Sequence, residues 1–201
     1  VPTLPPTPAR RGYFGTESVL SISDELPNSS HGPILPPYNA EAILALTNAT
    51  LLPSEPYRAA LREFYDQQLY PAVPVLDRDE SCFLLQQTLC FAGSVMRRPG
   101  DHPKNFSPDD IYARIKVLLF LGLETDILAL LKAYCVLGCW TPLSPHIANL
   151  DHPWHWTGVA IRVAIQLGFH KESTHLMSRS STQSRDIWWY LFVSRIRLNL
   201  P

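Results

Sequence analysis

The chain has 201 residues, with 17 Lys+Arg against 18 Asp+Glu (net charge −1), 17% charged and 46% hydrophobic residues, 19 prolines and 4 cysteines. Ordinary domains carry about 25% charged residues, and without a run of Lys or Arg this chain lacks the clustered basic face of a nucleic-acid platform. Four cysteines are too few for a disulfide-stapled scaffold, and no apolar stretch of about 18 residues is present to span a membrane.

The first residues are Val1-Pro2, with no charged-then-apolar leader, so the chain reads as an excerpt of a longer protein. Residues 1–56 hold ten of the prolines, with turn-forming Asn28 to Gly32 between two proline clusters. Such composition predicts a largely disordered linker with polyproline II tendencies. One exception is Asn39 to Leu46, where Ala, Ile and Leu predict two helical turns docked on the domain.

From Tyr57 the pattern is helical. Pro56 suits the first turn of a helix to about Leu69, with Leu61, Phe64, Tyr65 and Leu69 on one face. Pro71 and Pro74 bracket an extended step, a second helix follows from about Glu80 to Val95, and Pro99 to Pro108 is a loop. Ser107 caps a helix from Pro108, with Asp110 placed as the acid of a capping box and Ile111, Ile115, Leu118 and Leu119 as its stripe. Leu121-Gly122, Leu137-Gly138 and Leu167-Gly168 each predict a left-handed glycine stop. Thr125 starts the helix through Leu137, Asp151 with Pro153 the helix ending at Gly168, and Ser184 caps a last helix through about Leu198. No strand-like alternation competes, so the fold class is all-α.

The helix from Trp156 to Gly168 is apolar nearly all round, which predicts the centre of a bundle. Ala160, Ala164 and Gly168 give it a smooth ridge for close contact. Arg162 either snorkels to the surface or pairs inside, because a guanidinium stays charged. All five tryptophans follow residue 139 and read as core, with a small-molecule pocket as the alternative.

Cys135 and Cys139, with His146, His152, His155, His170 and His175 downstream, raise the question of zinc. Without Cys-x-x-Cys knuckles, two small residues packing in a Leu-rich helix is the better reading. No nucleophile elbow, phosphate loop or His-Glu-x-x-His helix is present, and Asp109-Asp110 sit where a helix dipole favours them. No catalytic or metal site is predicted. A helical-repeat scaffold needs a fixed period of about 34–45 residues, whereas the Leu-Gly spacings are 16 (122 to 138) and 30 (138 to 168).

Five blocks in order carry a resemblance. They are Tyr65 to Arg78, Asp110 to Lys116, Leu130 to Trp140, His155 to Arg162 with Leu167 to His170, and Arg185 to Phe192. Together these resemble the fungus-specific transcription factor regulatory domain, or middle homology region, known also as the xylanolytic transcriptional activator regulatory domain. Gly12 to Ser18 is similar to a segment preceding this domain in regulators of the cutinase and acetamide-utilisation type. The resemblance implies a linker over 1–56 and, over 57–201, the N-terminal part of a multi-helix regulatory domain. Its motif falls on Trp154, His155, Trp156, Gly158, Arg162, Gly168, His170, Trp188 and Trp189.

What the resemblance implies functionally is a nuclear regulator. DNA would be bound through an upstream cluster of two zincs and six cysteines, which Cys82, Cys90, Cys135 and Cys139 do not form. A small-molecule effector or co-regulator and a homodimer partner are implied, and no membrane. Two departures stand out: Ser194-Arg195-Ile196 replaces an expected Asp-Arg pair, and the chain stops at Pro201 where the family continues. The alternative is a helical interaction scaffold or co-regulator with no DNA reader of its own.

Overall fold

A computed structural model describes residues 37–77, 82–98, 100–141, 149–172 and 181–199. Among them every regular element is helical and no strand occurs. Residues 1–36 of the linker expected over 1–56, and the helix start expected at Glu80, lie outside the described residues.

Helix α1 spans Pro37–Thr47 and lies on α4. Asn48 takes a left-handed φ of 50° at its end, where the Ala49 N–H reaches the Leu44 carbonyl at 3.0 Å. Ala49 is fully buried, and the Gln87 side-chain amide donates to the Leu51 carbonyl at 2.8 Å. The packed body therefore starts with α1, ahead of Tyr57. The helical turns expected over Asn39 to Leu46 are part of this helix.

Helix α2, Glu55–Phe64, runs straight into a π-helical turn at Tyr65–Leu69. Leu61, Tyr65 and Leu69 are buried along one line. The Tyr65 phenol donates to the Val73 carbonyl at 2.8 Å and accepts from the Leu76 N–H at 3.2 Å. That pin folds the proline step back over α2, so Val73, Val75 and Leu76 reach the core.

Helix α3, Phe83–Val95, is the centre of the body, packed by α2, α4 and α5. Gln87, Thr88 and Ser94 are buried in it beside Leu84, Leu85, Leu89 and Phe91. Thr88 and Ser94 satisfy their hydroxyls on carbonyls of their own helix, at 2.8 and 2.7 Å. A Cβ on Gly93 would lie 2.0 Å from the Leu61 carbonyl oxygen, so glycine sets how closely α2 and α3 approach.

Helix α4, Pro108–Leu121, has the expected reciprocal capping box of Ser107 and Asp110, and Gly122 closes it at φ 63°. Helix α5, Ile127–Leu137, is capped by Asp126, whose carboxylate accepts from the Leu128 N–H at 3.0 Å, and not by Thr125. Gly138 follows it in a right-handed conformation, φ −65°, which corrects the left-handed stop. Space explains this glycine: a Cβ there would lie 2.7 Å from Thr157 Oγ1.

Helix α6 is Pro153–Gln166. Its cap is His152, whose Nδ1 accepts from the Trp154 N–H at 3.3 Å, because Asp151 is engaged elsewhere. Gly168, at φ 75°, ends it with the paired bonds of Gly168 N–H to Ile165 and Phe169 N–H to Ala164. Ala160 and Ala164 are fully buried. Even so, α6 is not the centre of the bundle: it lies against α5 and α7, with Trp154, Arg162 and Gln166 exposed. The Arg162 guanidinium belongs to the surface. Helix α7, Ser181–Asn199, begins three residues before Ser184, which is buried within the helix and does not cap it.

Candidate functional site

Three of the sequence blocks converge where α4, α5 and α6 meet over α3. Tyr112 supplies the hub. Its ring lies 5.7 Å from Phe91, 5.3 Å from Trp140 and 6.4 Å from Trp156, in tilted or edge-on geometry. Tyr134 stacks on Trp156 at 5.9 Å and 14°, and His155 meets the same indole edge-on at 4.9 Å. The helical period puts Ile111, Ile115 and Leu118 against the core and leaves Tyr112 at the border between core and surface.

A directed chain of hydrogen bonds leaves this box. Trp156 Nε1–H donates to the Tyr112 oxygen at 2.7 Å, and the Tyr112 hydroxyl donates to Asp151 Oδ1 at 3.0 Å. The direction is forced, since an indole only donates and an ionised carboxylate only accepts. Lys116 Nζ closes the chain on the same Oδ1 at 2.6 Å and lies 5.6 Å from the Tyr112 ring centroid. The Asp151 N–H is itself held by Asn149 Oδ1 at 2.7 Å. Burial pushes the Tyr112 phenol well above its ordinary value and the Asp151 charge adds to it, against the opposing pull of the indole donor. Tyr112 is thus a neutral donor at physiological pH. Above the chain opens a cleft of about 480 Å³ between Asp151 and the outer side of α4.

The remaining motif residues fall elsewhere. Trp154 and Trp189 are about half exposed, and Arg162 points to solvent. Gly158 has open space where a Cβ would stand. Gly168 turns the chain so that the His170 ring reaches Trp188 at 6.2 Å. Of the predicted set, His155 and Trp156 belong to the box. Tyr112, Lys116 and Asp151 were not predicted as site residues. Their sequence blocks were visible, but no spacing links one to another.

The cysteines show no activation. Cys82 donates to Glu124 Oε2 at 2.7 Å, and burial, then the Glu124 carboxylate, push its thiol up. Glu124 is also held by the N–H groups of Thr125 and Asp126. Burial holds Cys135 well above the ordinary thiol range, while Cys139 Sγ meets the Tyr190 hydroxyl at 3.1 Å. Among the described residues no group of three or more His, Cys, Asp or Glu could hold a metal ion, so these residues do not fit a two-zinc cluster. His146 and His175 lie outside the described residues. No described helix is long and apolar enough to cross a membrane.

The chain is similar to two fungal transcription factors. It is 25% identical over 174 residues to "Cutinase transcription factor 1 beta" of Fusarium vanettenii, covering 75% of this chain and 19% of that protein. It is 25% identical over 167 residues to a "Transcription factor" of Fusarium pseudograminearum (strain CS3096), covering 73% and 18%. The chain therefore spans about a fifth of the length of the curated relatives it matches. No family model matches the chain, and no solved structure does. The relationship is a distant one, to a part of two fungal transcription factors.

Proposed function

We propose that this chain is a regulatory domain of a fungal zinc-cluster transcription factor of the cutinase-regulator type. It controls RNA polymerase II transcription of metabolic genes in response to an effector or partner. The observation that carries the reading is the similarity over 174 residues to Cutinase transcription factor 1 beta. In this reading DNA contact and zinc belong to a cysteine cluster upstream, the protein works in the nucleus, and it pairs as a homodimer. The Tyr112–Asp151–Lys116 chain is the element that answers the effector, because it joins a buried aromatic box to an open cleft.

The test uses the full-length protein carrying Tyr112→Phe and Asp151→Asn together, with a reporter gene and promoter occupancy measured side by side. Occupancy is expected to persist while induction is lost. Induction equal to that of the unaltered protein, at equal protein level, would overturn the reading. The alternative, an interaction scaffold without its own DNA reader, draws on the exposed Trp189, Phe192 and Val193 of α7. Promoter occupancy that needs a second protein would favour it.

A further inference from the structure

The cleft over Tyr112 pairs an apolar wall with a charged, hydrogen-bonded end. Its volume, about 480 Å³, lies within the range of small-molecule sites, about 300–1,000 Å³. Its two ends differ in chemistry. Ala113, Val117 and Phe120 form an apolar wall along α4, and the Phe120 ring is 68% exposed. At the other end Tyr112, Lys116 and Asp151 present the hydrogen-bonded chain, with Asp109 lining the cleft as well.

Charge decides what fits. Two carboxylates, Asp109 and Asp151, face one ammonium, Lys116, which is already committed to Asp151 Oδ1 at 2.6 Å and to the Tyr112 ring. Among the described residues Asp109 has no hydrogen-bond or ion-pair partner, and the bonds Asp151 accepts from them both fall on Oδ1, which leaves Oδ2 without a partner among them. The lining thus carries a surplus of negative charge and spare acceptors. An exposed aromatic face adds a surface that attracts cations. An anionic ligand would meet two carboxylates and a lysine with no free charge to offer.

We propose that this cleft binds a small organic cation, an amine carried on an aryl or alkyl body. The ammonium sits between Asp109 and Asp151 Oδ2, and the body lies on Val117 and Phe120. Docking on Asp151 alters the acceptor of the Tyr112 hydroxyl and so the partner of the Trp156 indole N–H, which carries the event to the box. The inference rests on the regulatory reading only in taking the site as a receiver. Binding is read on the isolated chain and induction in cells, so either can fail without the other.

The experiment titrates the ¹⁵N-labelled chain with 2-phenylethylamine and, separately, with 3-phenylpropionate, following the Trp156 indole N–H resonance assigned with Trp156→Phe. The expected result is a saturable shift with the amine and affinity at least about threefold weaker for the carboxylate. Asp109→Asn and Phe120→Ala are both at exposed positions, and with the spectrum of each variant as the check on its fold, each is expected to weaken the amine by at least about threefold. A shift that does not saturate, equal response to both probes, or equal amine binding in both variants overturns the proposal. So does a lysine-bearing amphipathic peptide that shifts the resonance when the free amine does not.

Discussion

The body from α1 to α6 and the terminal helix α7 are held by different means. In the body, Leu61, Phe91, Ile111, Ile115, Leu131 and Leu137 are fully enclosed, and the Thr88 and Ser94 hydroxyls of α3 are satisfied on carbonyls of their own helix. Helix α7 buries Ile187 and Leu191 on one side and leaves Trp189, Phe192 and Val193 largely exposed on the other. Polar tethers do much of its fastening. Tyr190 donates to the Cys135 carbonyl at 3.1 Å, Arg185 pairs with Glu172 at 2.7 Å, and Gln183 donates to Asp77. A close-packed interior resists change by exclusion of volume, whereas a tethered helix yields one bond at a time.

The sharpest way to break the body is Gly93→Ala. The added methyl group would overlap the Leu61 carbonyl, which is backbone and gives way only by separating α2 from α3. A loss of about 3 kcal/mol is expected in urea unfolding, and a midpoint close to that of the unaltered chain would show the body to be softer than its packing implies. Next comes Tyr112→Phe, which removes the acceptor of the buried Trp156 N–H and the donor to Asp151. It should cost about 2 kcal/mol by the same measurement.

For the tethered helix the effects are smaller and local. Tyr190→Phe removes the bond to the Cys135 carbonyl together with the contact to Cys139 Sγ and should cost about 1 kcal/mol. Amide exchange is expected to quicken in α7 while α3 keeps its protection, and equal quickening in both would erase the distinction between the regions. Smallest is Glu124→Gln, in the turn before α5. The Cys82 thiol donor, then the Asp126 N–H, hold the Glu124 carboxyl below its ordinary value. A depressed pKa contributes stability above the unfolded value of 4.5, lost as the pH falls through the folded value. The variant should therefore be weaker at pH 7 by no more than about 1 kcal/mol, and the gap should narrow as the pH falls below 4.5 through the depressed folded value. A gap that is constant with pH would remove the carboxylate from the account.

Helix punctuation was the most legible layer of the chain. Ser107 with Asp110, Gly122 and Gly168 do locally what their residue types do anywhere. Where punctuation misled, a distant partner had intervened. His152 and not Asp151 caps α6, while Asp151 Oδ1 accepts from Tyr112 and Lys116, 39 and 35 residues earlier. Gly138 follows α5 for the sake of Thr157, not for a left-handed turn. The central helix was misread for a related reason. Gln87, Thr88 and Ser94 make α3 look half-polar, yet their bonds return to backbone carbonyls and free the helix for full burial. In the site, clustering singled out His155 and Trp156. Tyr112 stands 44 residues from its indole partner, a separation that no helical period encodes.

The Asp77 carboxylate also sets an order of events during synthesis. It receives Lys132, 55 residues on, at 2.8 Å, and Gln183, 106 residues on. A ribosome releases the chain from its N-terminus at about 5–20 residues per second, so Lys132 emerges seconds before Gln183. The nearly buried ammonium of α5 can find its counter-ion while α7 is still unmade. When α7 arrives it meets Asp77 already in place. Until then the flank of α6 that it will cover stays open to whatever attends the nascent chain.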